Sequence, residues 1–155
     1  MIRAIVAAVA VAICVGACGG SNVVTPGDVA QNYVSALANG THGGACAQFD
    51  AHARAVLLTS AGSDFTCPRL LSKCLPAKFK ALANDQSQLL YATADVQQEG
   101  VRAQVGLSGT AIGKATKEVT LRQERNRWLL TSPGDIITRC VRRLHARHHS
   151  RAVRD

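Results

Sequence analysis

The chain has 155 residues, 47% of them hydrophobic, with 18 Lys+Arg against 10 Asp+Glu and a formal charge of +8. That length holds one domain with short appendages, and the apolar content excludes a wholly disordered chain. The charge is local: residues 139–155 carry six Arg against one Asp, so the body of the chain is near neutral and a nucleic-acid-binding role for the whole is not expected.

Arg3 precedes an uninterrupted run of Ala, Val, Ile, Cys and Gly over residues 4–17. Fourteen such residues span roughly 21 Å as a helix, short of the ~30 Å hydrocarbon core of a bilayer, and match the apolar region of a secretory signal instead. The run ends in Val15-Gly16-Ala17-Cys18, followed by Gly19-Gly20-Ser21-Asn22. Small residues can enter a peptidase site extended, and the Cys directly after them resembles the lipobox of bacterial lipoproteins, with Val15 where Leu is commonest. The resemblance implies cleavage after Ala17 and a diacylglyceryl group on Cys18. Two acyl chains at about 0.8 kcal/mol per buried methylene anchor a protein almost permanently. Residues 1–17 are therefore expected to be a signal peptide, and residues 18–26 a lipidated Cys with a Gly- and Pro-containing tether.

Asp28 is a plausible helix start, with Val29, Tyr33 or Val34, and Leu37 at helical spacing until Asn39-Gly40 stops it. A second helix is expected to carry Cys46, Phe49 and Ala53 on one face and to continue through Val56 and Leu57. After a turn at residues 60–63, Pro68 suits the first turn of a third helix bearing Leu70, Leu71 and Cys74. Pro76 interrupts it, and Phe79 and Leu82 suggest one further turn. The period then falls to two. Ala92, Ala94 and Val96 alternate with polar residues over 90–98, and Val101, Ala103, Val105 and Leu107 do so after Glu99-Gly100. Val119 and Leu121 follow a Gly-rich connection at 109–115, and a turn at Arg125-Asn126 leads to a last strand over 128–131, closed by Pro133-Gly134. Helices first and an antiparallel meander afterwards predict an α+β domain over residues 27–134, its helices covering the sheet's apolar face.

The order of these pieces resembles the nuclear transport factor 2-like (cone-shaped, ketosteroid-isomerase-like) lipoproteins of actinobacteria. The matching residues are the stretch from Tyr33 through Val34, Ser35, Ala36, Leu37, Ala38 and Asn39 to Gly40, then Ala45-Cys46-Ala47 and Ala53-Arg54, and the hairpin from Val119 to Trp128. The resemblance covers about residues 27–134 and implies a cone fold: helices on a curved antiparallel sheet that encloses a pocket. Trp128 and Tyr33 are the pocket or core candidates. Both read as core, with the Tyr33 hydroxyl at the rim.

Four cysteines follow Cys18: Cys46, Cys67, Cys74 and Cys140. An even number in an exported chain points to disulfides. Cys67 and Cys74 lie about 10 Å apart along a helix, beyond the ~7 Å Cα limit for a bridge. Cys46 thus pairs with Cys67 or Cys74, and Cys140 with the other; the family resemblance favours Cys46–Cys67. No short paired spacing of zinc-ligand type occurs, and no metal or other cofactor is expected.

Isomerase-like chemistry needs a carboxylate or His base facing an acid donor. Asp50, Asp95, His52 and Tyr91 are the candidates, and nothing in the pattern brings a base and a donor together; all read as solvated or edge residues, and no catalytic residue is assigned. Gly109-Thr110-Ala111-Ile112-Gly113-Lys114-Ala115 is one residue short of a phosphate loop and ends in Ala where Ser or Thr should ligate magnesium, so it reads as a hairpin connection. No Gly-x-Ser-x-Gly elbow is present, and no acidic pair marks glycoside hydrolysis. Asn39-Gly40-Thr41 fits a glycosylation sequon, which carries little weight in a bacterial lipoprotein.

Residues 135–155 read as a basic tail: a short amphipathic helix with Ile136, Ile137, Cys140, Val141 and Leu144 on one face, then a disordered end. Arg139, Arg142, Arg143, Arg147, Arg151 and Arg154 are expected to contact anionic lipid head groups or acidic wall polymer beside the anchor, at about 1 kcal/mol per Arg. His145, His148 and His149 have helical spacing for a metal, but solvated residues are the simpler account. The sequence thus describes a lipid-anchored, extracytoplasmic binding or interaction module. A ketosteroid-isomerase-like enzyme on a hydrophobic substrate and an accessory domain for a cell-wall enzyme are the alternatives. Mass spectrometry of membrane-extracted protein should find a diacylated Cys18, and Cys18→Ser should release the protein into the medium; an unmodified wild-type chain in the medium would refute the anchor.

Overall fold

The computed structural model describes residues 24–62, 64–75 and 93–152. Residues 1–23 with Cys18, the turn expected around Phe79 and Leu82, Tyr91 and Arg154 lie outside the described residues, as do the side chains of His148, His149 and Arg151. Helix α1 spans Pro26–Ala38. It starts two residues before the expected position: Thr25 is the N-cap, Pro26 opens the first turn, and Asp28 completes a capping box by accepting from the Thr25 backbone and hydroxyl. Those two hydrogen bonds, the backbone one first, hold the Asp28 carboxyl below its ordinary pKa. Asn39 caps the far end, with Gly40 at φ +70° carrying the chain away.

The second helix expected from the sequence is in fact two. Helix α2 spans His42–Ala47 and α3 spans Ala51–Ala61. Between them Phe49 forms an isolated parallel bridge with Leu130, and Asp50 caps α3. Pairing with the sheet overrides the local helical periodicity that joins Phe49 to Ala53. Helix α4, Cys67–Cys74, begins with Pro68 in its first turn as expected.

The sheet is an antiparallel meander in the order β1 (Thr93–Glu99), β2 (Arg102–Ser108), β3 (Glu118–Glu124) and β4 (Arg127–Leu130). Its register places Ala103 beside Leu121, Val105 beside Val119 and Leu121 beside Leu130, with Val96 and Ala94 of β1 beside Val105 and Leu107, so one face is mainly apolar. Arg125 and Asn126, at φ 48° and 63°, form the two-residue turn between β3 and β4, in the left-handed geometry that tight hairpins demand. The connection at 109–115 is not a plain hairpin loop: it holds a short helix α5, Ala111–Thr116, whose N-cap Thr110 accepts from Gly113 N at 3.0 Å. A helix of six residues is too short to announce itself by periodicity.

Helix α1 crosses the apolar face against β1, β2 and β4, while α2, α3 and α4 pack side by side. The last helix, α6, runs Asp135–Ala152 and packs on α3, α4 and α5. It is no tail. Ile137 is fully buried and Val141 nearly so, both inside the hydrophobic core, so residues expected in a tail after residue 134 pack with the domain on an 18-residue helix. Gly134 makes the turn into it at φ +78°, where a Cβ would lie 2.4 Å from the Thr116 side chain.

Two disulfides close the helical layer, Cys46–Cys67 between α2 and α4 and Cys74–Cys140 between α4 and α6. The architecture is α+β, with helices covering the apolar face of a four-stranded antiparallel sheet. Unreduced, unfolded protein should show no free thiol among these four cysteines. Because the second bridge spans 66 positions, Cys140→Ser should cost roughly 4 kcal/mol in chemical denaturation.

Candidate functional site

Along each strand the residues alternate between the helix layer and the opposite face. That opposite face carries Gln97 on β1, Arg102 and Gln104 on β2, and Thr120 and Arg122 on β3. Thr131, just past β4, shares a 2.8 Å hydrogen bond with the Thr120 hydroxyl. The Gln48–Asp50 segment runs along the outer edge of β4: Leu130 N donates to the Gln48 carbonyl at 2.7 Å, and Asp50 N donates to the Leu130 carbonyl at 3.0 Å. The resulting hollow of about 700 Å³ is lined by these polar residues with Asp50 and His52 at one side and Gln98 and Glu99 at the other.

Asp50 is the fixed point of this hollow. The residue is 3% exposed, against the solvated position expected from the sequence. One oxygen accepts from Ala53 N at 2.6 Å as the α3 cap, and the other lies 3.4 Å from the Arg122 guanidinium. Arg122 also pairs with Glu124 on its own strand. Arg102 stands directly across from Arg122 in the register and across from Glu99 on β1. Opposite cross-strand charges offset the repulsion of two facing guanidinium groups. The charged lining therefore sums to zero with His52 neutral, and the rest is amide and hydroxyl. Such a surface can hold a ligand by hydrogen bonds; it offers no strong field of either sign.

The predicted pocket candidates are elsewhere. Tyr33 is fully buried in α1, its ring edge-on to Phe49 with centroids 5.4 Å apart, and its hydroxyl donates to the Pro133 carbonyl at 2.9 Å. It is a core residue through to its oxygen, not a rim residue, and burial pushes its pKa well above the ordinary phenol range. Trp128 is 6% exposed in the same core. Asp95 is exposed on β1, and His52 is exposed where α3 begins. Cys46, Cys67, Cys74 and Cys140 are all structural. Arg139, Arg142, Arg143 and Arg147 lie exposed on α6, with Arg142 beside Val141 on the side that faces α3.

A second hollow of about 440 Å³ lies between α3 and α6 and shares His52 and Thr131 with the first. Neither Arg122 nor this groove was among the residues singled out by sequence. Arg122 is one polar residue in an alternating strand, and only the fold brings Asp50 to it across 72 positions. Among the described residues, no group of three or more His, Cys, Asp or Glu could hold a metal ion, and no helix is long and apolar enough to cross a membrane. No protein-family model, curated protein or solved structure matches the chain.

The Asp50 geometry sets a clear order of effects. Asp50→Ala removes a buried cap and the Arg122 partner and should cost about 2 kcal/mol in urea denaturation. Asp50→Asn keeps the cap and should cost under about 1 kcal/mol, while exposed Asp95→Ala should stay within about 0.5 kcal/mol.

Proposed function

We propose that the protein is a bacterial surface lipoprotein, anchored through Cys18, whose cone-type domain is a non-catalytic binding module. The observation that carries the non-catalytic part is the commitment of Asp50. Both of its oxygens already accept from donors, Ala53 N and Arg122, and the arrangement braces the sheet against α3. An isomerase would need a free base and an acid donor facing each other across a pocket. Here Tyr33 spends its proton on the Pro133 carbonyl inside the core, on the opposite side of the sheet from Arg102 and Gln104. The polar hollow suits recognition by hydrogen bonds, with a charge-neutral lining.

The anchored reading also gives α6 a role. Arg139, Arg143 and Arg147 recur every four residues and form one exposed basic stripe, and the helix beneath them is held to α4 by Cys74–Cys140. A stripe on a fixed helix meets an anionic surface without the entropy cost of ordering a tail. Anionic lipid head groups or acidic wall polymer beside the anchor are its partners. The tether need only keep the domain close for such weak contacts to suffice.

Vesicle co-sedimentation of the Cys18→Ser chain tests this reading without the anchor. Removing residues 139–155 would take Cys140 and Val141 from the core, so the charges are changed instead. Binding to phosphatidylglycerol vesicles should fade at 1 M salt, where the screening length is about 3 Å. It should weaken roughly a hundredfold in the Arg139→Gln, Arg143→Gln, Arg147→Gln triple variant. Equal binding to phosphatidylcholine vesicles would overturn it.

A further inference from the structure

The groove between α3 and α6 differs in chemistry from the polar hollow beside it. Its floor is Ala53, Leu57 and Val141, each about 95% buried, and Val56 stands on its wall with half of its surface exposed. Three ionisable side chains line it, His52 and His145 and Arg142, and all three are basic. No carboxylate is among its lining residues, whereas the hollow next to it has two acidic groups facing two arginines. Hydroxyls of Ser60, Thr131 and Ser132 complete the rim.

Its walls are held in place from both sides. Asp50 caps α3 and ties its start to β4, and the Cys74–Cys140 bridge fixes α6 one residue before Val141. A groove with fixed walls needs no ordering when it is filled. Its volume, about 440 Å³, lies in the lower half of the range of small-molecule sites, roughly 300–1,000 Å³. An apolar floor with one arginine, Arg142, on a rim that holds no carboxylate fits an occupant that is apolar along its length and negative at one end. An exposed Arg lays its own methylenes along such a wall while its guanidinium meets the anion.

We infer that this groove binds a long-chain fatty acid, with the acyl chain along Val56, Leu57 and Val141 and the carboxylate at Arg142. The site is independent of the lipid anchor and of the Arg139, Arg143 and Arg147 stripe, since α6 turns Arg142 and His145 to its α3 side.

The test is displacement of a fluorescent polyene fatty acid from the Cys18→Ser chain by palmitate, with hexadecanol as the neutral analogue. Palmitate should displace the probe at one site per chain and do so at least tenfold better than hexadecanol. Arg142→Gln should weaken palmitate about tenfold and leave hexadecanol unchanged. Val56→Asp places a carboxylate on the groove wall at a position exposed enough to leave the fold intact, and it should abolish displacement by both. Circular dichroism of each variant confirms folding. Failure of palmitate to displace the probe, equal affinity of the Arg142→Gln protein, or binding that survives Val56→Asp would each overturn the proposal. So would a wild-type dimer that Val56→Asp converts to a monomer, because the groove would then be covered by a second copy. Vesicle binding through the arginine stripe is read with other residues, so either claim can fail alone.

Discussion

The junction at Asp50 joins the two halves of this molecule. Helices α1 to α4 and the β-meander are separate in sequence, and each has an apolar face to cover. The chain crosses between them where the Gln48–Asp50 segment lies along β4, with Leu130 accepting from Asp50 N and donating to Gln48. The next atoms of the same residue cap α3, and its remaining oxygen meets Arg122 on the polar face. A buried carboxylate with one partner removed leaves an unsatisfied group, which costs far more than an exposed pair contributes. One residue thus sets the start of α3, the position of the helical layer against the edge of the sheet, and the wall shared by both hollows.

The closing element is α6. Its first turns complete the core through Ile136, Ile137 and Val141, and Gly134 lets the chain pass Thr116 where no other residue fits. Lys117 and Asp135 pair at 3.4 Å beside that turn, but both are half-exposed and add little. The disulfide to Cys74 matters more, because it fixes the helix against a neighbour that is itself tied through Cys67 to α2. A small α+β domain with few aromatics has limited apolar surface to bury. Two long-range bridges restrict the unfolded chain instead.

What could be read from sequence was whatever is local. Alternation of period two located Ala103, Val105 and Leu107, then Val119 and Leu121, because burial on one face of a strand is written residue by residue. The left-handed turn at Arg125-Asn126 and the role of Pro68 are equally short-range. The α+β class followed from the order of these patterns. What was misread depends on distant partners. Phe49 falls on a helical face with Cys46 and Ala53 until Leu130, far along the chain, draws it into a bridge. Asp50 reads as solvated for the same reason, although Asp immediately before a helical run is also an N-cap signal that would have found it. The Thr25-Pro26-Gly27-Asp28 capping box is likewise a local signal, and it starts α1 two residues before Asp28. The α3–α6 groove could not be found this way at all, since its walls belong to segments about eighty residues apart.

Charge shows most clearly how the fold changes the meaning of a sequence feature. Six arginines in the last seventeen residues read as a short basic amphipathic helix with a disordered end when local periodicity is the only guide. Once Ile137, Cys140 and Val141 are bound into the core, the arginines before residue 148 occupy fixed directions around α6. Arg139, Arg143 and Arg147 share one face, while Arg142 belongs to the groove with α3. A flexible tail would present all of its charge to any anionic surface and lose entropy in doing so. A stapled helix divides the same charge into two surfaces with different neighbours, one bordered by water and one by Val56 and Leu57. On the proposed reading, the first responds to salt and the second to the length of an apolar chain. That division follows from where one disulfide and two buried isoleucines hold the helix.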